Sequence, residues 1–314
     1  MNPEPIVFSN KMKAISAMCI WSILSPLNGM FVKLVPGNFS SIFIIEISLS
    51  IFLVPGLMLA ISSFDKITLR EKRAICIRGS ACLASIAATF LGVRRIDYTT
   101  VYFLVMLGPL IASLAGSFVF SEMAQKNQLI ACIFTIIGAF LALSPQFEYS
   151  IFEISIMLLV VATSTTLTLS SRYVGRSSNV LRNTIISLSI AGWLILPFAL
   201  FQTPELEFST WPILAAVSTT NFLAILMGAY AYEKSTISSN APYELLKVVC
   251  AVLLGAIIFG AVPTIPALCG IAIIFLTSIA VAASDLSVFH ELKCFLRKKS
   301  ERRVKTRAYH KSRS

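Results

Sequence analysis

Apolar residues arrive in this chain in long runs of roughly 18–23 residues, the length of helix that crosses the hydrocarbon core of a bilayer. Ten such runs can be placed, at 14–32, 40–61, 74–93, 98–120, 127–144, 153–171, 182–201, 211–231, 238–260 and 265–284. The 314 residues are 56% hydrophobic and only 13% charged, against about 25% charged in a soluble domain. A soluble core could not bury so much apolar surface. The expected fold class is therefore an all-α membrane protein of ten transmembrane helices. The first run follows Lys11 and Lys13 as a signal peptide would. It is longer than an h-region and has no small-x-small cleavage site, so it is read as the first span.

Charge sets the orientation. Lys11, Lys13, the cluster from Lys66 to Arg78, Lys126, Arg172, Arg176, Arg182 and Lys234 all fall on one side, with the basic tail. The other side has only Lys33, Arg94 and Arg95. The positive-inside rule then puts both termini in the cytoplasm. Ten of the 26 Lys and Arg residues lie from Lys293 onward, with Arg297, Lys298 and Lys299 consecutive. This tail suits anionic lipid headgroups, and the net charge of +11 does not by itself indicate a nucleic-acid partner.

Six of the seven cysteines, Cys19, Cys76, Cys82, Cys132, Cys250 and Cys269, sit inside apolar runs, and Cys294 is in the tail. No C-x-x-C pair occurs, so they read as small buried residues. The two histidines, His290 and His310, lie in or beside the tail. No phosphate loop, H-E-x-x-H or G-x-S-x-G motif is present. Neither an enzyme, a metal site, a cofactor nor a nucleotide-driven pump is expected.

The two halves repeat. At an offset of 139 residues, Ile47-Ser48-Leu49-Ser50-Ile51 falls on Ile186-Ser187-Leu188-Ser189-Ile190. The same offset pairs Lys33 with Arg172, Arg95 with Lys234, Gly116 with Gly255 and Phe120 with Phe259. Five spans per repeat is an odd number, so the second repeat enters the membrane inverted. Inverted repeats are a common way for secondary transporters to build two access states around one central site. The expected organisation is an N-terminus over 1–13, a first repeat over 14–144, a second over 153–284 and a cytoplasmic tail over 285–314.

Local motifs point the same way. Arg78-Gly79 is followed by Gly92-Val93-Arg94-Arg95-Ile96-Asp97-Tyr98, Gly108-Pro109-Leu110, Phe120-Ser121-Glu122 and Gly138. The second half carries Ala241-Pro242-Tyr243, Gly255, Phe259-Gly260, Val262-Pro263-Thr264 and Gly270. Over about residues 12–284 this resembles the EamA domains of the drug/metabolite transporter (DMT) superfamily. The Ala241-Pro242-Tyr243 segment is most similar to bacterial S-adenosylmethionine uptake carriers and their relatives. The resemblance implies two inverted five-helix repeats in a bacterial inner membrane, carrying an amino acid or amino-acid derivative. Two positions depart from the family pattern. Ala261 stands where an acidic residue is usual, and Glu46 stands at about the place of an Arg.

Polar residues inside the spans are the candidate substrate-binding residues, since a charged side chain at mid-bilayer costs about 2.5–3.5 kcal/mol and usually faces a cavity or partner. In the ninth span, Asn240, Tyr243, Glu244 and Lys247 lie at i, i+3, i+4 and i+7, on one helical face. Their counterparts in the first repeat, Val101, Leu104, Val105 and Gly108, are apolar or bare. Two readings are open: the stripe lines a substrate path, or Glu244 and Lys247 merely neutralise each other as an i,i+3 pair. In the first span Trp21, Ser25 and Asn28 share a face, beside a backbone interrupted by Pro26. Glu46 is a candidate for a cation or coupling proton, or for a structural pair with Lys33. Tyr102, Asn221 and Tyr230 complete the set. The hydroxyls from Thr163 to Thr168 read as helix packing, and Gly116 and Gly255 as close crossings.

The expected function is secondary transport of a small organic metabolite, with proton or counter-substrate coupling. The alternative is a non-transporting membrane receptor or assembly component that works through its basic tail.

Overall fold

The computed structural model describes residues 4–120, 130, 133–134, 137–138, 141, 150–175, 179–201, 208–235, 237–244, 246–260 and 264–284. Its elements are helices: α1 (Glu4–Leu34), α2 (Ser41–Ser63), α3 (Leu69–Arg95), α4 (Tyr98–Phe120), α5 (Ile151–Gly175), α6 (Val180–Leu200), α7 (Trp211–Lys234), α8 (Ile237–Glu244), α9 (Leu246–Phe259) and α10 (Ile265–Ser284). α8 and α9 flank residue 245 and together cover the expected ninth span. The expected fifth span, 127–144, lies almost wholly outside the described residues, as do Ala261 and the tail over 285–314.

Six described helices, α1 to α3 and α5 to α7, are long and apolar enough to cross a membrane by length and composition. Where the sequence-derived boundaries can be compared, they agree to within about five residues, except that α1 begins at Glu4, ten residues before the expected start of the first span. Capping explains several ends. Thr68 and Glu71 form a reciprocal box at the start of α3, and the Asn179 side chain accepts from Arg182 N at the start of α6. Each satisfies backbone donors that the first helical turn leaves free.

The distribution of polarity is inverted relative to a soluble protein. Val54, Met58, Ile61 and Leu158 point outward, Ile61 being 72% exposed, while Asn28, Glu46, Arg78, Glu244 and Lys247 are buried. Lipid accepts such an apolar exterior, and water would not. The helices make a multi-pass membrane protein.

The packing exchanges under a swap of the two halves. α1 lies on α7 and α5 on α3; α2 also meets α7 and α6 meets α3; α1 meets α8 and α9, and α5 meets α4. α2 packs on α6, its own counterpart. At that seam sit Leu53 and Gly192, which are equivalent under the offset of 139 residues. A Cβ on Gly192 would lie 2.8 Å from Leu53 Cδ2, and the Ser189 hydroxyl donates to the Leu53 carbonyl at 3.0 Å. The repeat seen in the sequence is thus a repeat in packing, with its exchange point where α2 crosses α6.

Candidate substrate-binding site

Between the halves lies a cavity of about 100 Å³, walled by α1, α3, α4, α5, α7, α8 and α9. Trp21, Asn28, Tyr102, Asn221, Glu244 and Lys247 all line it, so most of the residues singled out in the sequence converge on one space.

The charged end is built on the second half. Lys247 Nζ donates to Glu244 Oε2 at 2.8 Å, and both side chains are almost fully buried. The Tyr232 hydroxyl donates to the other carboxylate oxygen, Oε1. The Lys247 ammonium also lies 3.5 Å from the centroid of the Trp21 ring, and Trp21 meets Tyr232 edge-on at 5.9 Å. The pair neutralises itself and also forms part of a cavity wall. Its i,i+3 spacing puts both groups on one face, and the ring adds a cation–π contact to the ammonium.

Around it, hydrogen bonds fix the other walls. Asn28 Nδ2 donates to the Val217 carbonyl at 2.7 Å and to Thr220 Oγ1 at 3.0 Å, joining α1 to α7. Asn221 Nδ2 donates to the Ser48 carbonyl at 3.1 Å. On α4, Tyr102 donates to the Ser25 carbonyl at 2.6 Å and Tyr98 to the Pro26 carbonyl. Both tyrosines satisfy carbonyls beside the proline in α1. Gly108 lets α4 approach α5, since a Cβ there would lie 2.2 Å from Ser164 Oγ.

The structure places the remaining candidates elsewhere. Glu46 on α2 is buried at 6% exposure with no hydrogen-bond partner for either oxygen, and it is not among the cavity residues. Lys33, considered as its pair, instead holds its ammonium 5.1 Å over the Phe259 ring. Asn240 is buried, and its Oδ1 accepts from the Ser235 hydroxyl. The Tyr243 carbonyl accepts from Ser22 at 3.0 Å. Tyr230 lies under the Lys234 ammonium at 5.6 Å, near the end of α7. The i, i+3, i+4, i+7 stripe thus divides, with Glu244 and Lys247 turned to the cavity and Asn240 and Tyr243 to helix contacts.

Two corrections concern polar residues of the cavity. Arg78, counted among loop charges in the sequence, lies inside α3, is 2% exposed and lines the cavity. Helical phase could have found it, because Arg78, Cys82, Ser85 and Thr89 recur at i, i+4, i+7 and i+11 and all line the space. On α5, the hydroxyls of Thr163, Ser164, Thr165 and Thr166 do bond carbonyls of their own helix. Ser164, Thr168 and Ser171 also form a wall of the cavity, a role beyond packing.

Comparison with known proteins adds the class. Residues 151–283 match the EamA-like transporter family. The similarity to that transporter family thus covers most of the second half of the chain. A solved crystal structure superposes on 87% of this chain and 96% of its own with a TM-score of 0.63, at 14% identity. At that identity the likeness concerns the fold alone, and it extends through both halves of the chain. No protein among those with curated functions matches it.

Proposed function

We propose that this protein is a secondary carrier of a small zwitterionic metabolite, an amino acid or amino-acid derivative, moved across the cytoplasmic membrane by alternating access. S-adenosylmethionine is the most specific candidate, on the strength of the Ala241-Pro242-Tyr243 segment alone. The observation that supports the reading is a cavity between two exchange-related halves whose wall holds a guanidinium, an ammonium, a carboxylate and aromatic faces. Repeats that trade packing partners supply the two arrangements a rocking carrier needs. The polar wall gives a zwitterion opposite charges to meet, and Trp21 and Tyr102 offer ring faces for its organic part. Glu244 in the cavity and Glu46 outside it are the carboxylates available for proton coupling.

Counterflow in proteoliposomes tests the reading without knowledge of the driving ion. Vesicles are loaded with unlabelled amino acids, S-adenosylmethionine or nucleotide sugars, and uptake of the labelled compound is followed. Accumulation of an amino acid or of S-adenosylmethionine is expected. Accumulation of a nucleotide sugar alone would overturn the substrate class.

A further inference from the structure

We propose that Arg78 is the subsite for the carboxylate of the transported molecule. This deepens the carrier reading and rests on it. Lys247 is the more obvious cation from sequence, but it is already engaged by Glu244 and by the Trp21 ring. Both oxygens of Glu244 are engaged in turn, by Lys247 and by Tyr232. Among the described residues Arg78 has no carboxylate partner. Its Nε and Nη1 atoms are buried and have no hydrogen-bond partner.

Two unpartnered guanidinium nitrogens buried in a membrane protein are costly for a fold to keep, and a ligand carboxylate would complete them. Arg78 sits about nine residues, or roughly 14 Å of helix, beyond the start of α3. The guanidinium is planar and presents its donors as a fork that matches a carboxylate. The charged cavity residues Arg78, Glu244 and Lys247 leave one uncompensated positive charge, which a single carboxylate neutralises. A phosphate monoester, with about −1.5 to −2, would overshoot it. Hydroxyls of Ser85, Thr89 and Ser171 line the same space and add neutral donors for the second oxygen.

The test compares competitors in the counterflow assay: the free acid of the transported compound against its carboxamide, in wild type, Arg78→Gln and Arg78→Lys. In wild type the amide should compete roughly tenfold more weakly, the scale of one charge-assisted pair. Arg78→Gln should reduce that preference to about twofold or less, and Arg78→Lys should keep part of it. A wild type that accepts the amide as readily as the acid overturns the proposal. So does an Arg78→Gln protein that still prefers the acid. Because Arg78→Gln could simply misfold, the wild-type comparison stands alone.

If no compound exchanges, the carrier reading fails instead, and charge-selective labelling then decides the anion subsite. Thr89→Cys, on the same face of α3 as Arg78 and only partly buried on the cavity wall, is the reporter in a Cys82→Ala background, followed by mass spectrometry of its peptide. An anionic sulfonatoethyl methanethiosulfonate should label it roughly threefold or more faster than the cationic trimethylammonium analogue. Equal rates, or a faster cationic reagent, would overturn the anion subsite.

Discussion

The two halves share a packing plan and differ in chemistry. Where α4 presents Val101, Leu104, Val105 and Gly108, the equivalent positions of α8 and α9 present Asn240, Tyr243, Glu244 and Lys247. Conversely α3 carries Arg78 where α7 carries Val217, and Cys82 where α7 carries Asn221. The backbone can be swapped between halves, but the charges cannot. On the carrier reading, the symmetric scaffold would supply two interchangeable arrangements of helices, and the asymmetric set of side chains would give the cavity a direction in which a ligand can lie.

The comparison is broken most severely at the charged pair. Glu244→Ala would leave Lys247 and Arg78 buried with no anion. Removing one member of a buried pair costs about 3–5 kcal/mol, so surface abundance and flux should both collapse. Glu244→Gln keeps the shape, and transport should fall by about tenfold while surface abundance changes far less. Equal losses in surface-labelling and uptake assays would mean the pair is purely structural.

Close contacts come next. Gly108→Ala puts a Cβ 2.8 Å from the Ser164 backbone carbon as well as against its hydroxyl. Overpacking of about 1–3 kcal/mol should lower the thermal midpoint in detergent by several degrees. In the other half, Gly255→Ala meets the Thr99 hydroxyl at 2.9 Å and Tyr98 Cδ1 at an ordinary 3.9 Å, and the Thr99 side chain can rotate away. Its midpoint should move less, and the reverse order would contradict the seam assigned to Gly108.

Tyr102→Phe sharpens the comparison further, since the equivalent position in the second half is Ala241. Losing its bond to the Ser25 carbonyl should cost about 1 kcal/mol, read as a small drop in thermal midpoint. Smallest of all is deletion after residue 292, which should leave flux in proteoliposomes within about twofold, since the tail's expected role is lipid attraction. Loss of function in that deletion would favour the tail-dependent receptor or assembly component.

The spans were legible because a membrane helix must be apolar along its whole length, a pattern no packing detail overrides. Glu244 and Lys247 were legible for the opposite reason, as charges interrupting such a run at helical spacing. Arg78 was not. It follows Arg70, Lys72 and Arg73 closely, so it read as one more interfacial charge, and only the length of α3 carries it into the interior. Nor could spacing alone divide the ninth-span stripe, because Asn240 is bonded to Ser235 around a turn and Tyr243 packs against a cluster that includes Met18 and Ala112, distant in the sequence. Glu46 was found as a buried charge, but its place away from the cavity depends on how α2 is rotated against α6.

The central claim is that one cavity between the halves serves both sides of the membrane, and a cysteine placed at Thr89, partly buried on its wall, gives the most direct measurement. An impermeant thiol reagent is applied to sealed right-side-out and inside-out vesicles of Thr89→Cys protein with Cys82→Ala, and the peptide that carries the new cysteine is followed by mass spectrometry. Alternating access predicts labelling from both sides, slowed in each case by the transported compound. Labelling from one side only, unchanged by any compound that the protein carries, would contradict it.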